Sequence, residues 1–174
     1  MTRRAFPIFV SCVLLAGCGV GALTSSLGSD AGASLDARAV ETGVLPNPDK
    51  IEFAGRFETR SDLGIDKFCA VKTDADRFDI GVLAVFGPES KCEGTGTASV
   101  QGDKVEITLN GKGACTFAAR YDGIELRFAG AVESACARYC SEKASLSGTH
   151  YFMIEPGDSA ARNTLGREIE RLCG

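Results

Sequence analysis

The residues best suited to chemistry in this sequence are cysteines and one histidine. Cys136 and Cys140 are separated by three residues, and His150, the single histidine of the chain, follows them. Thiolates combined with an imidazole suit soft or borderline metals. A catalytic redox site favours Cys-x-x-Cys at a helix N-terminus, and that spacing does not occur in the sequence. Any serine or cysteine nucleophile activated by an imidazole would have to use His150.

The segment Cys136-Ala-Arg-Tyr-Cys140 resembles the Cys-x3-Cys pair of copper-delivery proteins with a thioredoxin fold. That family has proline directly after its second cysteine, where this chain has Ser141, and it has an α/β fold. The sequence carries no Gly-x-Ser-x-Gly elbow, and its glycines do not match a phosphate-binding loop. We therefore expect structural disulfides, no cofactor and no enzymatic activity. A periplasmic hydrolase or a metal carrier is the alternative.

The first eighteen residues have the pattern of an export signal. Arg3 and Arg4 precede an uncharged, mostly apolar run that is too short to span a membrane. The run ends in Leu15-Ala16-Gly17-Cys18, which resembles the lipobox of bacterial lipoproteins. This resemblance implies cleavage after Gly17 and acylation of Cys18. In that family an Asp after the lipid cysteine favours the inner membrane, so Gly19 at this position implies the outer membrane, with the protein facing the periplasm.

Charge and composition then divide the mature chain. Residues 18–47 are rich in Gly, Ala and Ser and are expected to be a flexible tether, although a short helix over 34–41 is an option. Residues 48–174 form the expected β-domain. Loss of Arg3 and Arg4 with the signal peptide takes the formal charge from −4 to −6. This acidity argues against nucleic acid as a partner and against a second, polybasic contact with the membrane.

The β-domain contains six of the eight cysteines, since Cys12 lies in the signal peptide and Cys18 is the lipid site. An even number of cysteines in an exported domain indicates disulfides, and six allow fifteen pairings. The sequence does not select one of them. Our working prediction consists of the pairs Cys69–Cys92, Cys115–Cys136 and Cys140–Cys173.

Alternation of apolar and polar residues predicts a mostly β fold. Strands are expected at 51–58, 67–72, 78–86, 97–101, 104–109, 114–121, 124–128 and 146–153. Gly102-Asp103 and Asp122-Gly123 are hairpin signals. Within the β-domain, helices are expected only at 133–143 and 159–172. The prediction is an antiparallel meander of seven or eight strands, closed as a barrel or folded as a sandwich.

Surface residues offer few signals of function. Glu52, Glu58, Glu106 and Glu125 alternate outward, with Lys104 and Arg127 as neighbours, as a solvated sheet face requires. Arg138 and Tyr139 lie between two cysteines, so disulfides would hold them rigid for binding a partner. The alternative is that Tyr139 packs in the core and that Arg138 pairs with an acid nearby.

Ser147-Gly148-Thr149-His150-Tyr151 resembles the Ser-Gly-x-x-Tyr segment of membrane-bound inhibitors of C-type lysozymes. Those proteins are small lipoproteins with eight-stranded antiparallel barrels, and the resemblance implies that Ser147 enters the lysozyme cleft. The usual Trp and Lys-Gly of that family are missing here. The sequence thus predicts a lipid-anchored envelope protein with a binding or structural role and an envelope protein or glycan as partner. A lysozyme inhibitor is the alternative.

Overall fold

The computed structural model describes residues 27–42 and 52–174. Helix α1 spans Leu27–Glu41 and lies in the segment expected to be a flexible tether, so part of that segment is helical. The strands are β1 (Gly55–Ser61), β2 (Gly64–Asp74), β3 (Arg77–Val85), β4 (Lys91–Gln101), β5 (Lys104–Asn110), β6 (Cys115–Tyr121), β7 (Glu125–Phe128) and β8 (His150–Pro156). A 3-10 helix, Ser134–Tyr139, precedes β8, and α2 (Asp158–Arg162) follows it. Within the described ranges, no helix is long and apolar enough to cross a membrane.

The eight strands form one closed antiparallel barrel. Each strand pairs with its neighbour in sequence, and β8 pairs with β1 to close the sheet. The predicted mostly β antiparallel meander is confirmed, and the barrel form is the correct one of the two. Gln101 pairs with Lys104 across the predicted two-residue turn. The connection between β6 and β7 is longer than predicted, because the Asp122 carboxylate accepts N–H groups from Ile124 and Glu125.

The barrel interior is filled by aromatic side chains. Phe57 of β1 faces Phe68 of β2, and alternate residues of every strand follow them inward. Phe53 packs edge-on against Phe78 and Tyr121, with ring centroids 5.0 and 5.2 Å apart. An eight-stranded barrel is just wide enough for its own side chains to fill it. A ligand of this barrel must therefore bind on its outside.

A second apolar layer covers the outside of β2 and β3. Residues 158–174, here called the C-terminal strap, place Ala161, Leu172 and Cys173 against these strands. The outward residues beneath them are Cys69, Val71, Leu83 and Val85. Gly81 allows the close approach, because a Cβ at this position would lie 2.4 Å from the Leu172 carbonyl oxygen.

Both predicted helices of the β-domain are too long. The helix expected over 133–143 is the 3-10 helix Ser134–Tyr139, and the one expected over 159–172 ends at Arg162. Beyond Arg162 the strap turns back on itself. The Leu172 N–H donates to the Thr164 carbonyl, and the Gly166 N–H donates to the Ile169 carbonyl. These hydrogen bonds take the place of the i to i−4 hydrogen bonds of the expected helix.

The structure pairs Cys69 with Cys173, Cys92 with Cys140 and Cys115 with Cys136. The last pair agrees with the prediction, whereas Cys69–Cys92 and Cys140–Cys173 are wrong. Cys69 points outward from β2 beneath the strap, but Cys92 points into the barrel from β4. Two cysteines on opposite faces of one sheet cannot be joined.

Candidate functional site

Arg138 and Tyr139, the two candidate residues between Cys136 and Cys140, divide into one surface position and one core position. The Tyr139 side chain is buried, and its ring contacts Gly94 inside the barrel. Its hydroxyl donates to the Gly113 carbonyl at 2.5 Å and accepts the Lys112 N–H at 3.2 Å. Tyr139 is therefore a core residue, and its prediction as a binding residue is wrong. Arg138 is exposed and lies over Gly113.

The remaining predicted residues lie apart from one another. Ser147 is half-buried, and its hydroxyl oxygen accepts the Val132 N–H at 3.2 Å. His150 lies on the outer face of β8 with its ring edge-on to Phe152. Cys136 and Cys140 are in disulfides, so neither sulfur is a free thiolate ligand. Cys18 lies outside the described residues.

No metal cluster is present among residues 27–42 and 52–174, in the sense of three or more His, Cys, Asp or Glu side chains grouped around one point. Two carboxyl groups with shifted pKa values, those of Asp66 and Glu93, accept hydrogen bonds from backbone N–H groups. Burial raises the pKa of Asp66, whose Oδ1 accepts the Val85 N–H at 2.7 Å. Burial also favours the neutral form of Glu93, but hydrogen bonds from Lys91 and from the strap backbone outweigh it and lower the Glu93 pKa.

The candidate site is a groove of about 550 Å³ on the outer face of β4 to β7, here called the outer groove. Hydrogen-bonded register aligns four of its side chains across four neighbouring strands. Gln101 is opposite Lys104, Lys104 is opposite Arg120, and Arg120 is opposite Arg127. One row of the outer groove therefore carries three cations beside an amide.

The adjacent row of the outer groove is short and mostly uncharged. Ser99 is opposite Glu106, and Glu106 is opposite Ala118. Ala129 lies beside Ala118, because its N–H donates to the Ala118 carbonyl at 2.9 Å. The methyl groups of the two alanines leave a depression next to the long cationic side chains. This row supplies a partly apolar floor, one hydroxyl and one carboxylate.

The cations of the outer groove retain hydrogen-bonding capacity. Arg120 is 3.2 Å from Asp103, and Arg127 is 2.5 Å from Glu125. A guanidinium group has five N–H donors, so one carboxylate partner leaves others for a ligand. Lys104 has no carboxylate within ion-pair distance in the described part of the chain. Planar anions such as carboxylates suit this arrangement.

A second groove of about 330 Å³ continues the first across β2 to β5. The two grooves share Ser99 and Glu106. The second is lined with hydroxyl groups, including Thr97 and Thr108, and by the charged residues Arg77 and Asp79. The outer face therefore offers an elongated surface with hydroxyls along its length, three cations in the outer groove, and one cation and one carboxylate of its own in the second groove.

Sequence reasoning identified Lys104 and Arg127 only as solvated neighbours of outward carboxylates, and it missed Arg120, Ser99 and Gln101. Each of these is an ordinary outward residue of an amphipathic strand. The register of the hairpins could have revealed the cationic row, because the turn at Gly102-Asp103 sets Lys104 opposite Gln101 of β4. The pairings of β5 with β6 and of β6 with β7 add the two arginines.

Comparisons of the chain with models of protein families, with curated proteins and with solved structures returned no match.

Proposed function

We propose that this protein is a lipid-anchored, non-enzymatic protein of the bacterial cell envelope that binds an acidic glycan in the outer groove. The observation that carries the proposal is the row of Lys104, Arg120 and Arg127 beside an alanine floor. The groove has the volume of a small-molecule site, which ranges over about 300–1,000 Å³. Its cationic row stands out in a chain whose net charge is −4.

The chemistry of an acidic sugar matches the two rows. The apolar face of a sugar ring fits the methyl groups of Ala118 and Ala129, while its hydroxyls reach Ser99 and Glu106. A carboxylate on the sugar or on an attached peptide pairs with the cationic row. Hydroxyl groups in the neighbouring groove extend the surface for further units of the polymer. Peptidoglycan has this combination of sugar hydroxyls and carboxylates.

The expected export signal supports this choice of ligand. A protein held through acylated Cys18 at the outer membrane and facing the periplasm meets peptidoglycan at high local concentration. Residues 19–47 would set the distance between the lipid and the barrel. Attachment through lipid alone fits the acidic net charge, which gives no second attraction to anionic lipid.

The test is binding of the full-length protein, solubilised in detergent, to purified peptidoglycan. The double variant Lys104→Ala, Arg120→Ala removes two groove cations without changing buried residues. Because each charge-assisted hydrogen bond contributes about 1.5–3 kcal/mol, we expect affinity to fall by at least about tenfold. Binding should also weaken with added salt, since the groove is exposed.

A matched control removes two exposed cations that lie outside the groove, Lys72 and Arg162. Its net charge equals that of the groove variant, so a loss restricted to the groove variant assigns binding to that site. Equal losses in both variants would show nonspecific attraction to the polymer. Undiminished binding by the groove variant would contradict the proposal.

A lysozyme inhibitor is the second candidate, and the closed eight-stranded antiparallel barrel favours it because that family shares this architecture. Ser147 lies in the long connection from β7 to β8, at the end of the barrel where β8 begins. Inhibition of a panel of C-type lysozymes by the full-length protein, compared with the Ser147→Ala variant, tests this alternative. Absence of inhibition by the wild-type protein would eliminate it.

A further inference from the structure

The outer groove contains one carboxylate among its cations. Of the described residues that line the groove, Glu106 is the single acidic one, and it is exposed. In the described part of the chain, no basic side chain pairs with its carboxylate and no group donates a hydrogen bond to it. Arg120 and Arg127 pair instead with Asp103 and Glu125. An anion without a counter-charge therefore lies beside a row of cations.

Lys104 and Glu106 lie side by side on β5. They are two residues apart and both point outward, since Val105 between them is buried in the barrel. The rise of a strand sets their attachment points about 6.8 Å apart. Arg120, opposite Lys104, adds a second cation at one end of this gap, and Ala118, opposite Glu106, leaves room at the other end. The groove therefore presents two cations and one anion across a short distance.

A ligand with negative charge alone does not satisfy this arrangement. Its carboxylate would pair with Lys104 and Arg120, but Glu106 would then face a like charge, which weakens binding. A ligand with an ammonium group next to its carboxylate provides a partner for all three side chains. In a free α-amino acid group both charges are attached to one carbon, so a charge-assisted hydrogen bond of about 2.8 Å at each end reaches the two sides of the gap. The groove therefore favours a zwitterionic group.

We propose that the outer groove recognises a free α-amino acid group, with the carboxylate bound by Lys104 and Arg120 and the ammonium bound by Glu106. This inference rests on the proposed function, because peptidoglycan carries such a group wherever a diamino diacid of its stem peptide has one amine and the adjacent carboxylate outside peptide bonds. Carboxylates have several lone pairs, so Glu106 can still accept a sugar hydroxyl.

The role of Glu106 is selection among carboxylates. The cationic row by itself accepts any carboxylate of the glycan or its peptide, whereas Glu106 favours one with an ammonium group beside it. Cross-linking of two stem peptides through this amine forms an amide and removes its positive charge. The groove therefore distinguishes stem peptides with a free amine from those that are cross-linked through it.

The experiment measures binding of soluble peptidoglycan fragments to the full-length protein in detergent by isothermal titration calorimetry. One fragment has the free amine, and the other is the same fragment after acetylation of that amine, which removes the positive charge and keeps the carboxylate. Because one ion pair in an exposed groove is lost, we expect the wild-type protein to bind the acetylated fragment about three- to tenfold more weakly.

The variant Glu106→Gln completes a cycle with the two fragments. It should bind the free-amine fragment about as weakly as the wild-type protein binds the acetylated one, and acetylation should then change its affinity by less than about twofold. Glu142→Gln is the matched control, because Glu142 is an exposed carboxylate that does not line the groove. This control should retain the wild-type preference for the free amine. Urea unfolding of both variants shows that the fold is retained.

The outcomes separate this inference from the proposed function. Equal binding of the two fragments by the wild-type protein, or an equal loss for both fragments in Glu106→Gln, would overturn the inference and leave glycan binding in the groove intact. Binding of neither fragment would overturn both proposals. A third ligand, the free diamino diacid, lacks the sugar and peptide and should bind more weakly than the fragment. Equal affinity for it would overturn the assignment to the stem peptide.

Discussion

Glu93 provides the sharpest test of how the C-terminal strap is held, through the variant Glu93→Gln. The side chain is 3% exposed, and its carboxylate accepts the N–H groups of Arg167 at 2.7 Å, Glu168 at 2.9 Å and Ile169 at 3.2 Å. Lys91 Nζ supplies a fourth partner at 2.5 Å. Four donors therefore converge on one buried anion that lies on the barrel wall.

The amide of glutamine cannot replace this anion. Its oxygen accepts from one or two of the donors, but its NH₂ group is a donor and faces further donors. Hydrogen bonds to a charged group contribute about 1.5–3 kcal/mol each, and a mismatched buried donor costs about 1–3 kcal/mol. Because part of this is recovered by relaxation of the exposed strap, we expect a loss of about 2–4 kcal/mol. Glu106→Gln, on the exposed outer face, should change stability by less than about 0.5 kcal/mol.

Urea unfolding as a function of pH is the assay. The pKa of Glu93 is lowered in the folded state, so its stabilising contribution is present above the ordinary glutamate pKa of 4.5 and disappears as the pH falls through the lower folded value. The difference in stability between wild type and Glu93→Gln should therefore be largest near neutral pH and shrink in acid. A difference below about 1 kcal/mol at pH 7, or one that grows in acid, would refute this account of the strap.

Two further predictions concern the core and the anchor. Tyr139→Ala should destabilise the protein by about 3 kcal/mol or more, because a buried aromatic ring and two hydrogen bonds are lost. Arg138→Ala should change stability by less than about 0.5 kcal/mol. Thermal unfolding of both variants is the measurement, and similar small shifts in the two would contradict the core position of Tyr139. Cys18→Ser should leave an unprocessed precursor or release the protein from membranes. Cell fractionation and the mass of the product are the measurements. A variant of mature mass that still partitions with membranes would contradict lipid attachment.

The antiparallel meander was accessible from sequence because each of its strands carries its own local signal. Val105, Ile107 and Leu109 alternate with polar residues, so the inward face of β5 is evident without its neighbours. Gly102-Asp103 identifies the turn before it. Closure of the sheet depends on the pairing of β8 with β1, which joins residues about a hundred positions apart. No local sequence pattern therefore distinguishes a closed barrel from a sandwich.

The strap and two disulfides were not accessible in the same way. A helical pattern over 159–172 gives no indication that Glu93, more than seventy positions earlier, binds the backbone of residues 167–169. The pairing of Cys69 with Cys173 follows from an outward cysteine beneath the strap, and so it could be derived only after the strap was placed. Long-range contacts of this kind override local propensity.

The outer groove lies between these two cases. Its residues are recognisable as outward positions, but a row of cations arises only when three hairpins are set in register. A one-residue slip in any of them would send a strand's outward residues to the interior. The site is therefore a property of the paired sheet and is absent from each strand alone.

Protection of lysine side chains during glycan binding is the most direct test of the outer groove as the glycan site. The full-length protein is treated with an amine-acylating reagent, with and without soluble peptidoglycan fragments, and the rate at each lysine is read by mass spectrometry. We predict that saturating fragments slow acylation of Lys104 several-fold and leave Lys72, an exposed lysine outside the outer groove, unchanged. Binding of the fragments with no protection of Lys104 would contradict the assignment of the outer groove as the glycan site.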